Sequence, residues 1–226
     1  ETDIIRHLPQ MRGYDVVQVT NPVFFDLRPE KNWAIFKYLK KHNKKIFLDA
    51  LAIDHYYVKA CLDGKTFRYS DFFVGDRPLP HPEREKMLAA WIGGPNERPN
   101  IEMAQEANGI IACLYEYYAA YQPEYADKLA YIPIPIDLSI NPFHPIKSTP
   151  EVVKFFIGIQ QHRTAIKGTD ILLDVLREIH DKYPRESHIQ KVVSVPFNEY
   201  NKLLVDCHIL LDQLYSYTPA TNALAA

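Results

Sequence analysis

Arg163 and Lys167 stand four residues apart, between the apolar run Phe155-Phe156-Ile157-Gly158 and the sequence Gly168-Thr169-Asp170. An apolar run that closes on glycine reads as a buried strand and a turn. Ile171, Leu172, Val175, Leu176 and Ile179 follow at helical spacing, so Thr169 to Lys182 is expected as an amphipathic helix. Its first amides and partial positive charge would then lie at the carboxyl edge of a sheet, beside two cations, an arrangement suited to phosphate. A second segment, Asp206 to Ala226, repeats the order: a strand at His208 to Leu211, the polar loop Asp212-Gln213-Leu214-Tyr215-Ser216-Tyr217-Thr218-Pro219, and a helix from about Thr221. Together the two loops are expected to face one nucleotide diphosphate. His162, beside Arg163, is a lesser phosphate candidate.

The elements that must position these loops alternate along the chain. Tyr14 to Val19, Lys45 to Leu51 and Ile110 to Leu114 are β-rich runs, and helical stripes are expected at Trp33 to Lys41, Pro82 to Ile92, Ile101 to Ala107 and Tyr115 to Tyr121. Tyr56 to Pro80 is aromatic and without a clean period, and is expected as an irregular insertion. After Val152 to Ile157 come the helix at Thr169, a strand at Lys191 to Val195 and a helix at Asn198 to Val205. Such alternation predicts parallel sheets with helices on their faces. Five prolines between Tyr131 and Pro150 mark a linker, because proline fixes φ and removes a backbone donor. The expected division is residues 1–148 and 149–226.

Composition limits the function. The chain has 226 residues, 47% hydrophobic and 24% charged, which is ordinary globular usage. A formal net charge of -2 leaves no global field that would draw the protein to nucleic acid, so any anion must be held locally. Cys61, Cys113 and Cys207 show no metal-ligand spacing and read as reduced thiols of a cytoplasmic protein; none of the nine histidines joins a metal-binding motif. No apolar run is long enough to cross a membrane, although contact with a membrane surface stays open. The chain lacks an initiator Met and its last helix is short, which reads as part of a longer protein.

Phe156-Ile157-Gly158 followed by Lys167-Gly168-Thr169-Asp170-Ile171-Leu172-Leu173 resembles the start of the C-terminal domain of GT-B glycosyltransferases of family 4. Tyr131-Ile132-Pro133-Ile134-Pro135-Ile136-Asp137 is similar to that family's interdomain segment, and Asn222-Ala223-Leu224 to the helix start before its glutamate. The likeness runs from about Ala107 to Ala226. It implies an α/β protein of two Rossmann-like domains of GT-B type, both incomplete in this chain, with the acceptor facing the first and the donor in the second. It also implies a retaining transfer of a sugar from a nucleotide-diphosphate sugar to a carbohydrate or lipid-linked acceptor, in polysaccharide or glycoconjugate assembly. Such enzymes need neither metal nor other cofactor. By position, Arg163 and Lys167 would contact the diphosphate and stabilise the leaving group, Gly158 would admit close backbone approach, and Val195, Pro196 and Phe197 would form the nucleobase pocket. Asn222 would offer amides to phosphate, and Asp54-His55 would reach the cleft from the first domain as catalytic residues.

The family carries two glutamates separated by seven residues, and alignment on Ala223-Leu224 puts Tyr217 and Ala225 at their places. Asp212, Gln213 and Tyr217 are the nearby polar replacements for contacts to the sugar and ribose. Without both glutamates, a nucleotide-sugar-binding or scaffolding subunit of the same fold is the rival expectation. An unrelated α/β nucleotide-binding module, with Lys167-Gly168-Thr169 as a mere helix cap, is a second.

Overall fold

The computed structural model describes the chain except residues 1, 75–76, 138, 140–144, 147, 206, 216, 218–220 and 226. Asp206, Ser216, Thr218 and Pro219 of the second loop segment, and Pro142 of the linker, therefore lie outside the described residues. The chain forms two compact units, residues 1–133 and 134–226. Each holds a parallel sheet with helices, so the class is α/β as expected.

The first unit begins with helix α1 (Thr2–His7) and a 3-10 turn (Leu8–Met11), then runs β1 (Val16–Val19), α2 (Pro29–His42) and β2 (Lys45–Ala50). Next come α3 (His55–Leu62), the short antiparallel pair β3 (Phe73–Val74) and β4 (Arg77–Pro78), α4 (Pro82–Trp91) and α5 (Glu97–Glu106). It closes with β5 (Gly109–Ala112), α6 (Tyr115–Tyr125) and β6 (Leu129–Tyr131). The main sheet is parallel in the order β1-β2-β5-β6, with Val16 opposite Lys45, Phe47 opposite Gly109 and Ile110 opposite Leu129. Strand alternation turns Ile46, Leu48 and Ala50 to one face, where all three are fully buried with Ile35, Phe36 and Leu39 of α2 and Met103 of α5.

The stretch from Tyr56, expected as irregular, opens as helix α3. Asp54 caps it, its carboxylate accepting the Tyr57 N–H at 2.9 Å. Tyr56, Tyr57, Val58, Ala60 and Cys61 are all buried and Lys59 alone is exposed, so the helix lacks the broad polar face by which a surface helix is recognised. The helix expected from Ile101 starts earlier, at Glu97, and β6 had no expectation at all.

The second unit runs β7 (Val153–Ile159), α7 (Thr164–Lys167), α8 (Thr169–Lys182), β8 (Ser187–Val193), α9 (Phe197–Leu204), β9 (Ile209–Leu211) and α10 (Thr221–Leu224). Its parallel sheet has the order β8-β7-β9, with Phe155 opposite both Ile189 and Ile209. The chain steps from β7 to one side, then crosses back over β7 to the other, so the winding reverses at β7. Helix α8 packs on β7 and β8, while α9 closes a core of Phe156, Val192 and Leu204. Helix α8 matches its expected bounds, and β8 ends at Val193, leaving Val195 in the following loop.

Candidate functional site

A doubly wound sheet leaves a crevice outside the carboxyl ends of the two strands that flank its reversal, because their following helices depart on opposite faces. In the second unit those strands are β7 and β9, and a cavity of about 890 Å³ lies there. The end of β7 and its loop supply Gly158, Ile159, Gln160 and Lys167. The loop after β9 supplies Asp212 and Gln213, and Thr221, Asn222 and Ala225 come from α10 and the residue beyond it. Ser194 and Val195 after β8, with Phe197, Tyr200 and Asn201 of α9, form a third wall, and Ile134 to Asp137 a fourth.

The loops are pinned to one another. Leu214 N–H donates to the Lys167 carbonyl at 2.8 Å, joining the loops after β9 and β7. Gly168 between α7 and α8 has φ +67°, and a Cβ there would stand 2.8 Å from Leu214 Cβ, so both backbone conformation and packing call for glycine. Ser194 N–H donates to the Ile159 carbonyl at 3.1 Å, and Ser194 Oγ accepts from Gln161 N–H at 3.3 Å. Ser194 itself has φ +46°, an uncommon conformation for a side-chain-bearing residue, held where the surroundings over-determine it.

A polar chain runs through the cavity wall. Asn222 Nδ2 donates to Asp212 Oδ1 at 2.7 Å, and Tyr200 lines the same cavity. The Tyr200 ring meets Phe156 edge to face at 5.2 Å, and its phenol lies directly over Gly158. Burial pushes the Tyr200 hydroxyl above its ordinary pKa, against the lowering effect of Asn222, so it stays a neutral phenol. Lys167 forms no ion pair with any described residue, which leaves its charge to the cavity.

Seven of the expected donor-site residues come together in this wall: Gly158, Lys167, Val195, Phe197, Asp212, Gln213 and Asn222. Arg163, Pro196 and Tyr217 do not line it. Arg163 is exposed at the start of α7, Pro196 is exposed at the start of α9, and Tyr217 is 37% exposed. The helix α7 was not expected; Arg163 caps its start and is exposed, while Lys167 ends it and lines the cavity. The start of α8 is covered by Leu214 and Tyr215, which approach Gly168, rather than forming the cavity wall itself. His162 is exposed beside Arg163.

Asp54 and His55 sit in the first unit, in a buried network joining α3, α5 and α6. Asp54 Oδ2 accepts from the Tyr121 hydroxyl at 2.7 Å, Tyr121 in turn lies 3.3 Å from Asn100 Nδ2, and Asn100 Oδ1 accepts the His55 N–H at 2.9 Å. The His55 ring contacts the Trp91 carbonyl through Nδ1 at 2.9 Å, which requires the proton on that nitrogen. Asp54 is 0% exposed, and burial raises its carboxyl to about pKa 6 despite the hydrogen bonds of Tyr57 and Tyr121. As folded, these groups cap a helix and satisfy one another.

Tyr200, Ser194 and Gln160 carry no mark in the sequence. Tyr200 precedes Leu204 by one helical turn and reads as a core aromatic; only its closeness to Gly158 gives it a place in the cavity. Among the described residues there is no group of three or more His, Cys, Asp or Glu placed to hold a metal ion, and no helix is long and apolar enough to cross a membrane. No protein-family model matches the chain, and no curated protein matches it.

Proposed function

We propose that the second unit binds a nucleotide-diphosphate sugar and that the protein is a retaining glycosyltransferase of GT-B type, a cytoplasmic enzyme of polysaccharide or glycoconjugate assembly. One observation carries the reading: Lys167, without an ion-pair partner among the described residues, and Asp212 share one cavity at the reversal point of a doubly wound sheet. A cation with no carboxylate of its own suits the diphosphate, and the exposed ring of Phe197 offers a face on which a base can stack. The size of the cavity suits a whole sugar nucleotide, within the range of small-molecule sites.

In the proposed reaction the bond from the anomeric carbon to the diphosphate oxygen breaks, the acceptor oxygen bonds to that carbon, and the acceptor's proton leaves with the diphosphate. Lys167 stabilises the charge that grows on the departing oxygen, an interaction stronger in the transition state than before it. The carbohydrate or lipid-linked acceptor approaches from outside the cavity.

The alternative, a subunit that binds the sugar nucleotide without turning it over, draws on Ala225. Its methyl lines the cavity at a place where the resemblance calls for a glutamate. A thermal-shift panel of UDP, GDP and ADP with their glucose esters tests the binding, because a ligand of the native state raises the apparent stability. Stabilisation by at least one member is expected; none by any member overturns the donor site. Slow release of free glucose from the bound ester supports the enzyme, and stable binding with no release supports the subunit.

A further inference from the structure

We infer that the amino edge of the first unit's sheet docks on an anionic lipid bilayer, with Arg12, Lys41, Lys44 and Lys45 as its charges and Tyr14 and Val16 as its apolar anchors. The surface lies wholly within the first unit and takes no part in the donor site.

Charge is unevenly divided along the chain. Residues 1–45 carry nine Lys and Arg against five Asp and Glu, whereas residues 46–226 carry seventeen against twenty-three, so the small net charge hides a basic segment. The fold gathers that segment: α2 ends at His42 and β2 begins at Lys45, which brings the carboxyl end of the helix to the amino ends of β1 and β2. Gly13 N–H donates to the His42 carbonyl at 3.0 Å, Lys44 N–H to the Tyr14 carbonyl at 3.0 Å, and Lys45 N–H to the Asp15 carbonyl at 3.2 Å. Asn43 Nδ2 also donates to the Met11 carbonyl at 2.9 Å. Arg12, Lys41, Lys44 and Lys45, all exposed, therefore share one surface. Asp15 pairs with Lys44 and Glu106 with Lys40, while Arg12, Lys41 and Lys45 have no ion-pair partner among the described residues.

The helix macrodipole favours cations in the last turn of α2 and so accounts for Lys40 and Lys41. It does not account for Arg12 and Lys45, which lie on other segments, nor for the apolar side chains between them. Tyr14 is 54% exposed and Val16 55%. Val16 stands opposite Lys45 in the sheet, so both leave the same face, turned away from the buried Ile46 and Leu48. The Arg12 guanidinium lies over the Tyr38 ring, 5.0 Å from its centroid, which holds that charge at the surface. A soluble polyanion would engage the cations and leave Tyr14 and Val16 in water. A bilayer interface uses both: lysines meet anionic headgroups while a tyrosine and a valine enter the boundary of headgroup and acyl chain.

The test is co-sedimentation of the whole chain with vesicles of phosphatidylcholine alone and of phosphatidylcholine with about one-third phosphatidylserine, at low salt and at about 0.5 M salt. The wild-type chain should bind the anionic vesicles at least tenfold more tightly than the neutral ones, and high salt should release it. Lys41→Glu with Lys45→Glu should weaken that binding by tenfold or more, and Tyr14→Ser with Val16→Ser by threefold or more. Lys182→Glu with Lys191→Glu, exposed in the second unit, should leave it within twofold of wild type. Thermal melting controls for folding, and Lys41→Gln with Lys45→Gln replaces the charge reversal if that pair proves unfolded. No binding by the wild-type chain, equal binding to both vesicles, or full binding by the Lys41 and Lys45 variant overturns the inference. Unchanged affinity in the Tyr14 and Val16 variant overturns the bilayer as partner and points to a soluble polyanion, a nucleic acid or an acidic protein.

Discussion

A Cβ placed on Gly158 would stand 2.4 Å from the Tyr200 phenol oxygen and 2.7 Å from ring atom Cε2. Glycine near the end of β7 is therefore required by a side chain of α9. Close approach to a diphosphate was the expected reason for this glycine, and the structure supplies a second one.

Gly158→Ala should accordingly destabilise the second unit by about 1–3 kcal/mol, the usual cost of overpacking a fitted core. Because Cε2 as well as the oxygen crowds that position, adding Tyr200→Phe should give no relief, whereas Tyr200→Ala should relieve the clash. Urea unfolding of the single and double variants checks this. Strictly additive effects for the Gly158→Ala and Tyr200→Ala pair would rule out the contact.

Lys167 and Arg163 are neighbours on the chain, but only Lys167 lines the cavity. Lys167→Ala should weaken nucleoside diphosphate binding by ten- to a hundredfold, about 1.5–3 kcal/mol for a lost charge-assisted contact. Arg163→Ala should change it by less than threefold, since Arg163 is exposed and outside the cavity wall. Calorimetry at one fixed ionic strength separates the two. Comparable losses in both variants would mean that the bound state recruits Arg163 as well.

Gly168→Ala meets two penalties at once, a left-handed backbone at φ +67° and Leu214 Cβ at 2.8 Å. The expected loss is about 1–3 kcal/mol of stability in denaturant titration. Diphosphate binding should also weaken, because displacing Leu214 strains its hydrogen bond to the Lys167 carbonyl. A destabilised variant that binds as well as wild type would show that the two loops are independent.

Asp54 makes stability depend on pH in the direction opposite to most carboxylates. Its folded pKa of about 6 lies above the ordinary value of 3.8, so between these values the folded state holds the proton more tightly than the unfolded one. Its contribution is thus most favourable below about pH 4, declines as pH rises to about 6, and is constant above. The full change is roughly 3 kcal/mol. Asp54→Asn keeps a capping oxygen for the Tyr57 N–H and removes the titration, so its stability relative to wild type should rise between pH 4 and pH 7. Chemical denaturation across that range measures it; a pH-independent difference between the two proteins would refute the linkage.

Much of the framework was legible because it is written in near neighbours. The stripe from Ile171 to Ile179 recurs every three or four residues, and α8 forms where that spacing places it. The runs at Lys45 and Phe155 are β-rich enough to be buried on both faces of a parallel sheet. Helix α3 was not legible, since burial of Tyr56, Tyr57 and Val58 together erases the contrast between wet and dry faces. Helix α7 was hidden by its brevity: a single turn has no period to read.

The sequence alone determined the alternation of strand and helix, the glycine turn that opens α8, and the absence of acidic residues at Tyr217 and Ala225. Only the tertiary structure decided which of these residues share a cavity. It joined the loops after β7 and β9 through Leu214 and Lys167, drew Tyr200 onto Gly158, and left Arg163 outside the wall. Capping, turns and periodicity depend on residues a few positions apart, whereas a cavity wall depends on which side of β7 the chain crosses. That choice belongs to the packing of whole elements.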